Sequence, residues 1–363
     1  MPTAIKERFL VSPFLVFFLV HTLQIGIGVL GFQRYIAKSA GYDAWIAVLV
    51  FGLIVNLLIW MIYSIMKKGN GDITVIHRDL FGKWIGGLFS LFFLVYLLFF
   101  AITVLRTFIE VIQVWIFPDL KVWSFSLMFL ILTYYVVSGG FRTVTGVSFL
   151  GVVLPIYLLF TLWFPLEFAN FRNLLPIFDH SIKEIAISTK ATALSFLGFE
   201  ALFMFYPFIK QPEKSQKWAH LGTLFTTSMY LLVTIVTFAY YSEKQLAGTV
   251  WATLSMFKIV EMPFVERFEY IGIATYALVI LPNICLAIWS SSRGVKQLFG
   301  VKQHTALILL LVITFVVNCL LTDRSSVDML NTNVSKIGFY FIVLYIPFLY
   351  IISHIKHIAR GKG

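Results

Sequence analysis

The sequence predicts an all-α integral membrane protein with ten transmembrane helices. Hydrophobic residues make up 60% of the 363 positions and charged residues 12%, and the mean hydropathy is +0.90, which excludes an ordinary soluble composition. Two apolar segments, one opening each half of the chain, are interrupted by glycines. Broken helices in corresponding positions are typical of folds built from inverted repeats. We therefore expect a single membrane domain over 1–363, with repeats at about 11–166 and 187–355.

Ten apolar windows have the length of a bilayer-crossing helix, which needs about 20 residues. They lie near 11–35, 44–66, 84–117, 122–138, 143–166, 187–209, 218–241, 268–292, 304–321 and 336–355. An even number of spans places both termini on one side of the membrane. That side carries more lysine and arginine, so the positive-inside rule predicts that both termini are cytoplasmic.

The first window is interrupted by three glycines, Gly26, Gly28 and Gly31. Their spacing matches a dinucleotide fingerprint, but no predicted strand precedes them, so we exclude a cofactor site. An unwound helix at this point would offer backbone amide donors and carbonyl acceptors to a small ligand. Close packing of helices against small residues is the alternative explanation.

The third window ends in Arg106 and Glu110, which lie four residues apart on one helix face and can pair with each other. A neutralised pair near the outer interface is one interpretation, and a polar pathway lined by both residues is the other. Before this window, the amphipathic segment 69–83 predicts a short interfacial helix. We expect its His77 to be a solvated loop histidine, because no metal-ligand spacing surrounds it.

The second interruption lies in the sixth window, where Gly198, Glu200 and Pro207 break an apolar run. An ionised carboxylate at membrane depth costs about 3 kcal/mol or more, so Glu200 is expected to face a cavity or a protein partner. Pro207 withholds a backbone donor, and unpaired backbone at this depth requires protein or a wet cavity around it. The two interruptions together predict a ligand site between them at mid-membrane.

The long connection 242–269 alternates polar and apolar residues, which predicts an outer lid of short helices over the central site. Enzymatic signatures are missing: there is no Walker loop, no nucleophile elbow and no zinc-spaced His and Cys set. We therefore predict no enzyme, no cofactor and no metal site. The net charge of +11 falls in clusters between apolar windows, which argues against nucleic-acid binding.

Three segments, 80–86, 195–200 and 266–269, resemble the B subunits of the germinant receptors of endospore-forming bacteria. That family is similar to the amino acid, polyamine and organocation transporters, whose LeuT-like fold has ten helices in two inverted sets of five, with helices one and six broken. The resemblance implies a sensing subunit in the spore inner membrane that binds a small nutrient germinant, for which we expect an amino acid. It implies as partners a membrane A subunit, a lipoprotein C subunit and membrane lipid.

By position, the resemblance places the ligand at the two interruptions. The implied ligand-binding residues are Gly26, Gly28, Gly31, Ser195, Gly198, Phe199, Glu200 and Phe203. The two phenylalanines favour a hydrophobic amino acid, while a sugar or nucleoside stays open. An ion-coupled amino-acid transporter and a passive water or ion pore also stay open as functions. Glu200 is the one clear candidate for ion coupling, which favours sensing over transport.

Overall fold

The computed structural model describes residues 5–69, 71–261, 263 and 265–360. Within these ranges the regular structure is helical apart from isolated bridge residues, and one parallel bridge joins Val11 to Ile209. We number the helical segments as spans in the order of the predicted windows. The spans are Pro13–Gln24 with Gln33–Ala40 (one), Ala44–Lys68 (two), Ile73–Trp115 (three), Val122–Ser138 (four), Phe141–Leu166 (five), Ile182–Phe196 with Phe199–Phe208 (six), Pro212–Tyr240 (seven), Phe268–Phe299 (eight), Gln303–Leu320 (nine) and Arg324–Ala359 (ten).

Helices occur at all ten predicted windows, but fewer meet the length and hydropathy of a complete membrane crossing. Among the described residues, seven helices meet both criteria, and the bent pair of span six raises the number to eight. The first half of span one and the whole of span four are shorter apolar helices. The break after Gln24 shortens the former, and Gly139 ends the latter. The structure therefore confirms the all-α membrane fold without fully confirming ten crossings.

Both predicted breaks are present. In span one the α-helix ends at Gln24, a 3-10 turn follows over Ile27–Leu30, and the α-helix resumes at Gln33. In span six the helix ends at Phe196, and its two halves are bent by 52°. Gly198 adopts φ +107° at this bend, a conformation that glycine tolerates because it has no Cβ.

Span eight lies at the centre of the bundle and contacts spans one, three, four, five and nine. The first half of span one packs against spans five and seven, and its second half packs against the first half of span six. Helices therefore pack against both breaks. Residues 195–201 at the second break are buried, while Gly26 and Gly28 at the first are partly buried, so the freed backbone groups lie against protein.

The short helix predicted at 69–83 is confirmed, and the expected exposure of His77 is wrong. The short helix is the first part of span three: it begins at Ile73, and the chain turns sharply at Gly82, where φ is +80°. This turn folds the short helix back on the bundle and buries His77 completely. The imidazole hydrogen-bonds Ser90 Oγ at 2.8 Å and the Tyr345 hydroxyl at 2.6 Å. Its burial depends on contacts with spans three and ten, which local sequence does not encode.

Candidate ligand site at the helix breaks

The two breaks meet across a short contact between span one and span six. A Cβ added to Gly28 would lie 3.6 Å from Ser195 Oγ, which is ordinary van der Waals distance. The Tyr230 hydroxyl of span seven contacts both breaks: it lies 3.1 Å from the carbonyl oxygen of Gln24 and 2.8 Å from that of Ser195. One phenol therefore serves carbonyl groups that helix termination leaves without intrahelical partners.

Asn283 of span eight supports the break in span one from the opposite side. Its Nδ2 donates to the carbonyl oxygens of Thr22 at 2.9 Å and Ile25 at 3.2 Å. A Cβ on Gly26 would lie 3.5 Å from the same nitrogen. This is an ordinary van der Waals distance, so the approach of the asparagine does not by itself require a glycine at this position.

Gln24 is the least satisfied polar group at the breaks. Its side chain is 1% exposed, and neither its amide nitrogen nor its amide oxygen has a hydrogen-bond partner within the described chain. The Oδ1 atom of Asn283 is also unpartnered there. A buried polar group without a partner costs about 1–3 kcal/mol, so such groups mark a place where a polar ligand would be stabilised. Neither residue is among those predicted from the sequence, although each is an amide inside an apolar window.

Glu200 is fully buried and already bonded within the protein. One carboxylate oxygen accepts a hydrogen bond from the Tyr96 hydroxyl of span three. The other accepts the backbone N–H of Gly198 at 2.9 Å. The expectation that Glu200 faces protein groups and not lipid is confirmed, and the carboxylate fixes the bend of span six.

The Tyr96 side chain connects this carboxylate to the helix that contains His77. Its ring stacks on Phe341 with centroids 5.7 Å apart, in a π-helical turn of span ten. Tyr345 ends the same turn and bonds the imidazole of His77. A π-helical turn inside an α-helix is frequent at functional positions. The contacts form a continuous path from the break in span six to the helix at 73–81.

Phe199 and Phe203, the two predicted aromatic binding residues, are fully buried. Phe203 packs edge-on against Phe93 at a centroid distance of 6.5 Å. They belong to the apolar core next to the break. Neither side chain lines the cavity nearest to the breaks.

A cavity of about 70 Å³ adjoins the break in span one on the side of spans five, seven and eight. Most of its lining is apolar. Span one contributes His21, Thr22, Ile25, Val29 and Leu30 to it. None of the eight predicted ligand-binding residues lines the cavity, so their role stays a prediction. In the described part of the chain, no three His, Cys, Asp or Glu side chains gather as a metal site would require.

The predicted short helices of segment 242–269 are present as Glu243–Gly248 and Ala252–Met256. Thr253 Oγ1 donates to the carbonyl oxygen of Val29 at 2.8 Å. A Cβ on Gly31 would lie 2.2 Å from the carbonyl oxygen of Val250. Gly31 is therefore required for close approach of this segment, which covers the break in span one.

Arg106 and Glu110 are both buried, and each has a partner on another part of the chain. The Nε atom of Arg106 donates to the carbonyl oxygen of Leu321 at 2.7 Å. Glu110 forms an ion pair with Arg324, with 3.6 Å between oxygen and nitrogen. Among the described residues no salt bridge within 4 Å joins the two side chains, although their opposite charges still attract each other. Their direct contacts are instead to the segment after span nine and to the start of span ten. A polar pathway through them stays a prediction.

Comparison with known proteins identifies the family of the chain. A family model described as "Spore germination protein" matches residues 10–327. The chain belongs to this spore germination family. It is 47% identical over 352 residues to spore germination protein GerQB of Bacillus cereus, covering 97% of this chain and 98% of the relative. Spore germination protein B2 of Bacillus subtilis (strain 168) is 23% identical, with 95% of each chain covered.

The fold of this spore germination protein is also that of a solved structure, MhsT in complex with L-phenylalanine. The TM-score is 0.68 at 14% sequence identity, and the alignment covers 95% of this chain and 98% of MhsT. At this identity the likeness shows the fold alone, which is the LeuT-like arrangement with broken helices one and six. The chain is thus a multi-pass membrane protein of the spore germination family.

Proposed function

We propose that this chain is the nutrient-sensing B subunit of a spore germination receptor and binds a small germinant where spans one and six are broken. The observation that carries the proposal is the buried, unpartnered amide of Gln24 at the end of the first broken helix. The family supports the germination role, and the two breaks support a ligand site at mid-membrane.

An amino acid is the ligand class that fits these groups. The ammonium group would bind the unpartnered Oδ1 of Asn283 and the amide oxygen of Gln24. The carboxylate of the bound amino acid would accept hydrogen bonds from the amide nitrogen of Gln24 and from the backbone N–H groups at Gly26 and Gly28. The adjoining cavity, mostly apolar, would accommodate an apolar side chain, and the complex of MhsT with L-phenylalanine supports a hydrophobic amino acid.

The other predicted binding residues would shape the site from span six and from segment 242–269. Ser195 lies opposite Gly28, while Gly198 and Glu200 fix the backbone at the bend. Phe199 and Phe203 would form the apolar wall behind the bend. Gly31 would set the approach of segment 242–269 over the bound ligand.

The partners proposed for the subunit are a membrane A subunit, a lipoprotein C subunit and membrane lipid, in the spore inner membrane with both termini cytoplasmic. Ligand binding would favour a closed state of the site, and a partner subunit that contacts one state would receive the signal. The path from Glu200 through Tyr96 and span ten to His77 supports transmission across the bundle.

Ion-coupled transport of an amino acid is the second candidate function, favoured by the fold shared with MhsT. Coupling requires a group that changes its bound proton or ion during the cycle. Glu200 is enclosed by two internal hydrogen bonds, which favours a structural carboxylate and therefore sensing.

The test compares binding with accumulation. The purified chain is reconstituted in liposomes and screened against the common amino acids, L-phenylalanine included, with and without an imposed proton or sodium gradient. We expect weak, saturable binding and no accumulation. Gradient-driven, saturable uptake by the chain alone would contradict the receptor function, and absence of binding to every amino acid would contradict the ligand class.

A further inference from the structure

A second cavity lies at the far end of the bundle from segment 242–269 and outside the site described above. It is a cleft of about 200 Å³ between the end of span two, the helix at 73–81 and the end of span ten. We call it the basic cleft. Its polar lining residues are Lys68, Asp79, Ser353, Lys356 and His357.

The charges of the basic cleft are unequal. Lys356 lies 3.7 Å from a carboxylate oxygen of Asp79 and also donates to the backbone carbonyl of that residue. Lys68 has no carboxylate within 4 Å among the residues that the structure describes. The cleft, which His357 also lines, therefore keeps one uncompensated ammonium group, and this charge favours an anionic ligand.

Ser353 adds a hydrogen-bond donor to the cleft, and this donor also favours an anionic ligand. The residue is 7% exposed, lines the cleft, and its hydroxyl has no partner within the described chain. A buried hydroxyl of this kind is stabilised when a ligand accepts its hydrogen bond. An ammonium group and a hydroxyl that converge on one cleft fit the oxygens of a phosphate group.

The remaining side chains of the lining are apolar and come from the end of span two and from the helix at 73–81. Ile65 closes one side from span two, and Val75, Ile76 and Leu80 close the other from the helix at 73–81. A ligand seated here would contact charge and apolar surface together. We infer that the basic cleft binds the phosphate headgroup of an anionic phospholipid, with Lys68 and Ser353 as the main contacts.

The test is a titration of the purified chain, in neutral detergent, with phosphatidylglycerol, phosphatidylcholine or inorganic phosphate. A ligand that binds the folded state raises the melting temperature. We expect phosphatidylglycerol to raise it at concentrations where the other two additives do not. Lys68→Gln should weaken the apparent affinity about five-fold, since each lysine near a membrane surface contributes about a five-fold factor to anionic lipid binding.

The matched control is Lys67→Gln, which removes the same charge from the neighbouring exposed residue, outside the cleft. It should bind phosphatidylglycerol like the wild type. Equal responses of the two variants would overturn the assignment, as would equal effects of the two lipids. If inorganic phosphate raises the melting temperature and phosphatidylglycerol does not, the cleft binds free phosphate and not a lipid headgroup, and the proposal is overturned. If Lys68→Gln is unstable, Ser353→Ala replaces it, and native mass spectrometry then counts the retained lipids; an unchanged count would also overturn the proposal.

Discussion

The break in span one and the break in span six differ in how their polar groups are satisfied. At the first, Gln24 is buried with both amide atoms unpartnered, and a Cβ at Gly26 or Gly28 would meet only ordinary contacts. At the second, both oxygens of Glu200 accept hydrogen bonds from the protein. The first break therefore has polar groups to offer a ligand, and the second is a fixed bend that holds its neighbour in place.

Replacement of Glu200 gives the largest expected effect on stability. Glu200→Leu leaves the Tyr96 hydroxyl and the Gly198 amide without their acceptor, which costs about 2–4 kcal/mol in all. The melting temperature and the amount of protein in the membrane should both fall. Glu200→Gln keeps an acceptor and a similar shape, so its loss should be well under half as large. Equal losses in the two variants would show that the charge itself matters, as ion coupling would require.

Gly198→Ala tests the fixed bend with a single methyl group. The residue has φ +107°, and the new Cβ would lie 2.8 Å from the carbonyl oxygen of Leu23. The left-handed conformation alone costs about 1–2 kcal/mol for a residue with a Cβ, so the melting temperature should drop clearly. Gly146→Ala is the control, because nothing lies within 4 Å of its Cβ position. Similar melting temperatures for the two variants would contradict a strained, fixed bend.

The smallest effect on stability is expected at Gly28. A Cβ there meets Ser195 Oγ at 3.6 Å, so Gly28→Ala should be tolerated. Gly28→Val adds methyl groups beside the proposed ligand and restricts the unwound backbone. It should reduce ligand response by more than it reduces protein level, measured by binding and immunoblot on the same membranes. A response that falls only in proportion to the protein level would make the glycine a packing residue.

Sequence predicted the parts of the site that depend on local chemistry. Three clustered glycines in the first window, and a glycine, a carboxylate and a proline close together in the sixth, predict broken helices. The breaks at Gly26 and Gly198 and the burial of Glu200 could therefore be predicted, although single glycines such as Gly52 lie inside unbroken helices. The support from Asn283 joins positions more than 250 residues apart. No local pattern identifies that contact.

The same limit explains His77 and Arg106. Each lies in a segment whose helical character is evident from its amphipathic or apolar pattern, yet its partner belongs to the last part of the chain. The pattern predicts the helix, and tertiary packing chooses the partner. The eight predicted binding residues lie at the breaks or next to them, and their contact with a ligand stays a prediction.

The different roles of the two breaks are best tested by equilibrium binding to the purified variants Gln24→Leu and Glu200→Gln. The labelled ligand is an amino acid that the liposome screen identifies, and L-phenylalanine is tried first. Gln24→Leu removes the unpartnered amide, so binding should weaken about ten-fold or more while the melting temperature stays the same or rises. Glu200→Gln should bind within about three-fold of the wild type, since one charge-independent acceptor remains. Normal binding by Gln24→Leu, together with lost binding by a stable Glu200→Gln, would contradict the account.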